Sequence, residues 1–242
     1  MNVMGFDKQD LPKHRLIANL TDDDRDKLAK YLEKVFVLPR EVIYWTGRPI
    51  DHVYFPLSAV FSLVGTTKEG DTVEIGQVGD EGIVGVSATL GALQGDGHTT
   101  TKTSVQVPGT ALRLKAKVFD EEMDRNHSLN RCVRRYLGVL YDQLILAVTC
   151  NRHHSLEQRC ARWLLAAQDR SQADEVPITQ EHLADMLGVR RQSAEQTLAA
   201  LRDKEMIATS RGILAIEQRK KLEAVACECY HIIKHRLDTF LA

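Results

Sequence analysis

The chain has 242 residues, of which 43% are hydrophobic and 27% are charged, enough for about two domains with packed cores. Its 32 basic residues stand against 33 acidic ones, so the formal net charge of -1 excludes a histone-like protein that coats DNA. No apolar run approaches the roughly 18 residues of a membrane span, and five cysteines, an odd number, indicate reduced thiols. We therefore expect a cytoplasmic protein without a membrane partner.

The first half of the chain is predicted to be rich in β-strands. Short runs of β-branched and aromatic residues alternate with glycine and proline, and no helix-length segment separates them, which favours a sandwich or barrel over a parallel sheet. One short helix is expected before the strands, with Thr21 as its N-cap. The predicted strands are residues 35–38, 42–45, 52–55, 60–64, 72–75, 104–107 and 111–114.

Glycine and proline become rare between residues 119 and 150, where a long helix is expected. Apolar residues recur there at spacings of four and three, the pattern of a coiled-coil seam. We predict that this helix pairs with a second copy of the chain, and that Tyr136, Tyr141 and Ile145 rest on the β-rich domain. The alternative is a helix that packs only on its own domain. The expected seam consists of Val133, Leu137, Leu140, Leu144 and Ala147.

Residues 178–201 predict a helix-turn-helix. Thr179 is a good N-cap for the first helix, and Gly188 supplies a sharp turn before the second. The second helix starts with arginine and glutamine, which can read guanine and adenine in the major groove. Two short strands that follow would form a wing whose tip reaches a phosphate. The candidate DNA-binding residues are Thr179, Arg190, Arg191, Gln192, Ser193, Gln196 and Arg211.

A helical hairpin with a polar outer face is the alternative interpretation of this segment. The nearly neutral charge of residues 151–242, which hold 14 basic and 13 acidic side chains, is compatible with it. DNA binding is favoured because a cap, a small residue, a glycine turn, a basic helix start and a hairpin occur in the right order.

This order of a β-rich domain, a seam helix and a winged helix-turn-helix resembles the Crp/Fnr superfamily of bacterial transcription regulators. The similarity is most specific in residues 178–207, where Ile-Thr-Gln-Glu-x-Leu-Ala-x-x-Leu-Gly-Val-x-Arg matches the family's helix-turn-helix without gaps. The resemblance implies an α+β chain in three parts. They are a double-stranded β-helix (jelly roll) sensor domain over residues 1–118, a dimerisation helix over 119–150, and a winged helix-turn-helix DNA-binding domain with a C-terminal helical extension over 151–242.

The resemblance also implies a homodimer that reads two half-sites of an inverted repeat about one helical turn apart. In the family, the second helix's arginine and the residue after it touch bases, and these positions match Arg191 and Gln192. A further base-reading arginine of the family matches Gln196. A glutamate is usual where Gln192 stands, so the family's common half-site is not expected here. RNA polymerase is a candidate further partner.

The sensor domain is expected to resemble a cyclic-nucleotide-binding domain without binding cAMP. Family members that bind cyclic nucleotides hold the ribose with a glutamate and the phosphate with an arginine. Val86 stands in the glutamate's place, and residues 99–105 contain no arginine. Lys102 in that stretch lacks the bidentate fork of a guanidinium. No cofactor is therefore predicted.

Other kinds of site find less support in the sequence. Cys227, Cys229 and His231 lie in the final helical segment, where positions two apart point in different directions, so no metal site is predicted. Cys132 and Cys150 are candidates for oxidant sensing, although a buried cysteine is more often a small hydrophobe. No P-loop, Gly-x-Ser-x-Gly or His-Glu-x-x-His motif occurs, so an enzyme is not expected. The alternative function is a ligand-, redox- or haem-sensing module whose DNA binding is absent or conditional.

Overall fold

The computed structural model of the chain describes residues 1–87, 99–171, 173, 175–210 and 212–241. A β-rich N-terminal domain is followed by a long helix and a C-terminal domain that is mostly helical, so the predicted α+β architecture is confirmed. The helices are α1 (Arg15–Ala18), α2 (Asp22–Ala29), α3 (Ala116–Arg125), α4 (His127–His153), α5 (Leu156–Ser171), α6 (Gln180–Leu187), α7 (Arg191–Asp203), α8 (Arg219–Val225) and α9 (Glu228–Leu241), with a short 3-10 helix at Lys8–Lys13.

The N-terminal strands form two antiparallel sheets that face each other. Their orders are β1-β2-β8-β4 and β3-β7-β5-β6, and each of the seven predicted strand segments overlaps one of β2 to β8. Tyr44, Tyr54 and Phe61 pack between the sheets, with adjacent ring centroids 6.2 Å apart. The strands are β1 (Asn2–Met4), β2 (Glu33–Val37), β3 (Val42–Tyr44), β4 (His52–Pro56), β5 (Val60–Thr66), β6 (Thr72–Val78), β7 (Lys102–Val107) and β8 (Gly109–Lys115).

Two helices, α3 and α4, replace the single helix predicted between residues 119 and 150. The backbone of Asn126 is extended, and its side-chain oxygen accepts a hydrogen bond from the Leu129 amide at 2.9 Å. Its Nδ2 donates to the Asp24 carbonyl at 2.9 Å, which ties this joint to α2. Asn126 therefore ends one helix and caps the next, as asparagine commonly does at such positions. From there α4 continues to His153, a length of about 40 Å.

Helix α4 packs against the sensor domain on one side and against α9 on another. The Tyr136 hydroxyl donates to the Ile83 carbonyl at 3.3 Å, and the Tyr136 ring lies 6.2 Å from the ring of Phe240. Arg236 donates to an Asp142 carboxylate oxygen at 2.8 Å. The C-terminal extension therefore returns along the long helix. Among the residues that the structure describes, no helix has both the length and the apolar character of a membrane span.

The C-terminal domain is a winged helix-turn-helix built on a core that includes Trp163. Thr179 caps α6, because its hydroxyl accepts a hydrogen bond from the His182 amide at 3.2 Å. Gly188 adopts a φ of 63° and ends the helix, as predicted. The expected wing is the antiparallel pair β10 (Ile207–Ser210) and β11 (Ile213–Ile216), and a third strand, β9 (Glu175–Pro177), pairs with β11.

Candidate nucleic-acid interface

The predicted recognition helix α7 presents its polar side to solvent and buries its apolar side. Ala194, Leu198 and Leu201 are buried in the domain core, as the sequence pattern predicted. Gln192 and Gln196 are exposed one helical turn apart, so both side chains can face one groove of a DNA duplex. The exposed edge of α7 is therefore free to approach a partner.

The start of α7 carries the two arginines that sequence analysis selected. Arg190 is the N-cap residue with an extended backbone, and both Arg190 and Arg191 are exposed. Ser193 is half-buried, and its carbonyl accepts a hydrogen bond from the Thr197 hydroxyl at 2.9 Å. Arg211, the predicted tip of the wing, lies outside the described residues.

A groove beside α7 brings together residues from three parts of the sequence. Thr179 from the start of α6, Arg191 from α7 and Gly212 from the wing line it, together with Arg40 of the sensor domain. Sequence analysis missed Arg40, which lies in the turn between β2 and β3. Its Nη2 donates a hydrogen bond to Thr179 Oγ1 at 2.9 Å. No local pattern could have indicated this contact, because 139 residues separate the two partners.

Helix α6 also contacts the sensor sheet along its length. His182 Nε2 donates to Gln106 Oε1 at 2.8 Å, and the Thr72 hydroxyl donates to the Asp185 carbonyl at 3.4 Å. Burial lowers the pKa of His182, and the nearby Arg40 guanidinium acts in the same direction. The first helix of the helix-turn-helix is therefore docked on the sensor while α7 remains exposed.

A buried ion pair forms a second connection between the domains. Arg170 Nε of α5 lies 2.7 Å from a carboxylate oxygen of Glu81, in the glycine-rich turn that follows β6. Both side chains are almost completely buried. The next residue back, Asp80, pairs with Arg15 at 3.1 Å. This turn therefore links the β-rich domain to helix α5 of the C-terminal domain.

Val86 and Lys102, the two residues that the sequence analysis compared with a cyclic-nucleotide site, have different surroundings. Val86 is buried in an apolar cluster with Ile83. The Lys102 ammonium lies 5.4 Å from the centre of the exposed Trp45 ring, near the surface that faces α6.

A cavity of about 230 Å³ lies at the junction of the sensor domain, α5 and α9. Glu74 of β6 faces it, and burial raises the pKa of this carboxyl to about 7 although Ser62 donates a hydrogen bond to it. A carboxyl group at the domain junction is therefore poised to change its charge near neutral pH.

The predicted dimer seam must be corrected. Val133 and Ala147 are buried within the chain, and Leu137, Leu140 and Leu144 are half-buried. Leu137 and Leu140 pack against the core cluster to which Leu237 and Phe240 of α9 belong. Helix α9 and the sensor domain therefore already cover much of that face.

The sequence analysis expected Tyr136, Tyr141 and Ile145 to rest on the β-rich domain, and this expectation was wrong for two of the three. Tyr136 rests on the sensor domain as predicted, whereas Tyr141 and Ile145 are exposed, and so is Val148. The sequence analysis therefore placed the free face of the helix about one residue earlier than the structure does.

The final helical segment, expected to hold Cys227, Cys229 and His231, begins only after Cys227. Cys227 lies in the turn between α8 and α9, whereas Cys229 lies in the first turn of α9. The two side chains are therefore not constrained to diverge as positions two apart on one helix would be. His231 is exposed.

A jelly-roll domain joined by a long helix to a winged helix-turn-helix defines a two-domain regulator of the DNA-binding type. The family model of the cyclic nucleotide-binding domain matches residues 34–126, and that of the Crp-like helix-turn-helix domain matches residues 158–225. Together they span most of the chain, which therefore belongs to the Crp/Fnr family of transcription regulators. No curated protein sequence matches the chain significantly.

Solved structures of this family share the fold. A protein from Eubacterium rectale described as a Crp/Fnr-family regulator is 17% identical, with a TM-score of 0.67, covering 87% of this chain and 96% of its own. FixK2 from Bradyrhizobium japonicum is 12% identical, with a TM-score of 0.65 and coverages of 81% and 98%. A Crp-family transcriptional regulator of Thermus thermophilus is 21% identical, with a TM-score of 0.65 and coverages of 79% and 96%.

Proposed function

We propose that the chain is a sequence-specific, homodimeric transcription regulator that reads an inverted repeat and acts in the cytoplasm, without enzymatic activity. The exposed edge of α7 carries the proposal. Arg191 at its start lies in one groove with Thr179 and the wing, while Gln192 and Gln196 follow on the exposed side. Arginine and glutamine can read base edges, and a threonine at a helix N-terminus suits a phosphate.

The dimer is proposed to form through the exposed face of α4. Gly138, Tyr141, Ile145 and Val148 follow one another at spacings of three, four and three, the period of a coiled-coil seam. The three apolar side chains are 65%, 45% and 72% exposed, and no heavy atom outside the local backbone lies within 4 Å of a Cβ placed at Gly138. A second helix can therefore approach closely, and this strip replaces the seam predicted from sequence.

The sensor domain is proposed to modulate DNA binding through the Glu81–Arg170 pair rather than through cAMP. With Val86 in an apolar cluster and Lys102 against Trp45, the residues that replace the family's two anchors do not form a charged cradle. A cyclic phosphodiester would lose hydration without gaining a bidentate partner. Isothermal calorimetry that detects micromolar binding of cAMP would contradict this part of the proposal.

Selection of bound fragments from a bacterial genomic library, with purified full-length protein and no added ligand, tests the DNA-binding function. We expect enrichment of an inverted repeat whose half-sites lie about one helical turn apart. Recovery of random fragments by a protein shown to be a folded dimer would contradict sequence-specific reading in the unliganded state. A parallel selection with cell extract then distinguishes a missing signal from a chain that does not read DNA.

A further inference from the structure

Four side chains with metal-binding atoms converge where α4 ends and α9 begins. They are Cys150 and His154 from the end of α4, and Cys227 and Cys229 from the start of α9. One donor atom from each residue lies within 4.8 Å of the other three. Cys150 Sγ is 3.5 Å from Cys227 Sγ, and Cys229 Sγ is 3.7 Å from His154 Nδ1. These residues, called the Cys₃His cluster below, are brought together from parts of the chain about 75 residues apart.

The spacing of the donor atoms fits a tetrahedral ion. With metal–sulfur bonds of about 2.3 Å, two donors on one tetrahedron are separated by roughly 3.8 Å. The two measured separations are close to that value, whereas a disulfide would require Cys150 and Cys227 to approach to about 2 Å. Three cysteines and one histidine also form one of the usual donor sets of structural zinc sites.

The surroundings orient the histidine toward the cluster. Nε2 of His154 lies 3.2 Å from a carboxylate oxygen of Glu228, to which it can donate a hydrogen bond. That bond fixes the proton on Nε2 and leaves Nδ1, which faces Cys229, with its lone pair available. A carboxylate that orients a ligating histidine in this way is a common partner of bound zinc.

The electrostatic environment favours a thiolate at Cys150, whereas the hydrogen bond to Cys150 raises the pKa of Cys227 and burial raises the pKa of Cys229. Cys150 and Cys227 are buried, and the hydrogen bond between them, with help from Arg162, holds the pKa of Cys150 below its ordinary value. The buried Nε of Arg162 has no hydrogen-bond partner within the described parts of the chain. A zinc ion with three thiolates and a neutral imidazole carries one net negative charge, which this guanidinium would offset.

We propose that Cys150, His154, Cys227 and Cys229 together bind one Zn²⁺ ion per protomer. Each cysteine that is still protonated releases its proton to solvent as the metal binds, and the imidazole coordinates in its neutral form. The ion would join the end of the long helix to the first turn of α9. Because α5 begins at Leu156, two residues beyond His154, the same ion would also fix the joint that leads into the DNA-binding domain.

The effect of this ion on DNA binding rests on the proposed function, whereas metal binding itself does not. The first experiment therefore measures metal alone. Full-length protein is purified under reducing conditions without chelator, and its zinc content is measured by mass spectrometry. We expect about one zinc per protomer, and after removal of zinc we expect Co²⁺ to give the absorption of a tetrahedral thiolate site.

Single substitutions assign the metal to the cluster. Cys229→Ser and His154→Gln should each lower the bound zinc strongly, whereas Cys132→Ser changes a buried cysteine outside the cluster and should retain it. Glu228→Gln changes a side chain that is 69% exposed, so it should leave the fold intact and lower zinc affinity about 10- to 100-fold in competition with a chelator.

The following outcomes test the proposal even if the Cys229→Ser protein does not fold. Reduced parent protein that binds no more Zn²⁺ than the His154→Gln protein would overturn it, and so would an equal loss of zinc in Cys132→Ser. A Cys150–Cys227 disulfide that forms in place of the metal complex under reducing conditions would also overturn it. DNA affinity of the zinc-loaded and zinc-free protein is measured separately, so that a failure to bind DNA does not affect the conclusion about the metal.

Discussion

The Arg40 guanidinium of the sensor domain donates a hydrogen bond to Thr179 Oγ1, at the N-terminus of the first helix of the helix-turn-helix. In helix-turn-helix proteins this end of the first helix lies close to the DNA backbone, and backbone amides at a helix N-terminus suit a phosphate. In the DNA complex proposed above, the sensor domain would therefore occupy a position that the DNA backbone needs, while α7 stays exposed. The arrangement would block the proposed backbone contact and leave the proposed base-reading surface accessible.

Replacement of Arg40 should loosen this contact. We expect Arg40→Ala to raise the affinity for the selected DNA up to about fivefold, because a hydrogen bond from an exposed arginine contributes about 1 kcal/mol or less. Fluorescence anisotropy at several salt concentrations measures the affinity. Arg48→Ala removes the same charge from an exposed position of the sensor and is the control. If Arg40→Ala instead weakens DNA binding, and the slope of affinity against salt concentration falls by about one released ion, then Arg40 is a phosphate contact.

Arg191 is expected to read a base. Arg191→Ala should weaken binding to the cognate site by about 1–3 kcal/mol and relax the preference at one base pair, because a bidentate contact to guanine is lost. Anisotropy on the cognate site and on its single-base variants measures both effects. Arg125→Ala, an exposed arginine on the sensor domain, should leave both unchanged. Parent-like binding by Arg191→Ala would show that the base-reading position lies elsewhere on α7.

The dimer seam can be tested with two neighbouring residues of α4. Val148→Glu places a negative charge in the proposed seam, where it would meet its own copy across the twofold axis, and should convert the dimer to a monomer. Thr149→Glu adds the same charge at an exposed position beside the strip and should leave the dimer largely intact. Sedimentation velocity gives the oligomeric state. If Val148→Glu forms dimers over the same concentration range as the parent, the interface lies on another surface.

Glu74 should make stability depend on pH. The native carboxyl stays protonated until its pKa of about 7, whereas the unfolded one loses its proton near 4.5, so the native state loses relative stability as pH rises between these values. Glu74→Gln keeps a neutral side chain throughout. From pH 5 to pH 8 the free energy of unfolding of the parent should therefore fall by about 2–3 kcal/mol relative to this variant.

Chemical denaturation at both pH values provides the measurement, and Glu69→Gln, an exposed glutamate in the turn between β5 and β6, is the control. The buried His14 has an effect of opposite sign, because burial lowers its pKa to about 4 and its native form resists protonation. Since His14 is present in both proteins, its contribution cancels. A difference between the proteins that is independent of pH would show that Glu74 is ionised throughout this range.

Local sequence patterns were sufficient to predict the features that are formed by residues close together in the sequence. The seven strand segments, the cap at Thr179 and the left-handed turn at Gly188 all follow from side-chain type and period. Helix α7 was predicted for the same reason, because the alternation of buried and exposed residues along it repeats every helical turn. These features need no knowledge of what packs against them.

What the sequence by itself determined is therefore the order and type of most elements, and the exposed, arginine-bearing start of α7. The tertiary structure alone decided which face of α4 remains free, because α9 returns from the C-terminus to cover positions that the heptad pattern assigned to a partner. It also decided that Arg40 reaches Thr179 and that Cys150 meets Cys227, 77 residues further along the chain. These contacts depend on how whole helices and domains dock. A contact between distant segments produces no periodic pattern in the sequence of either segment.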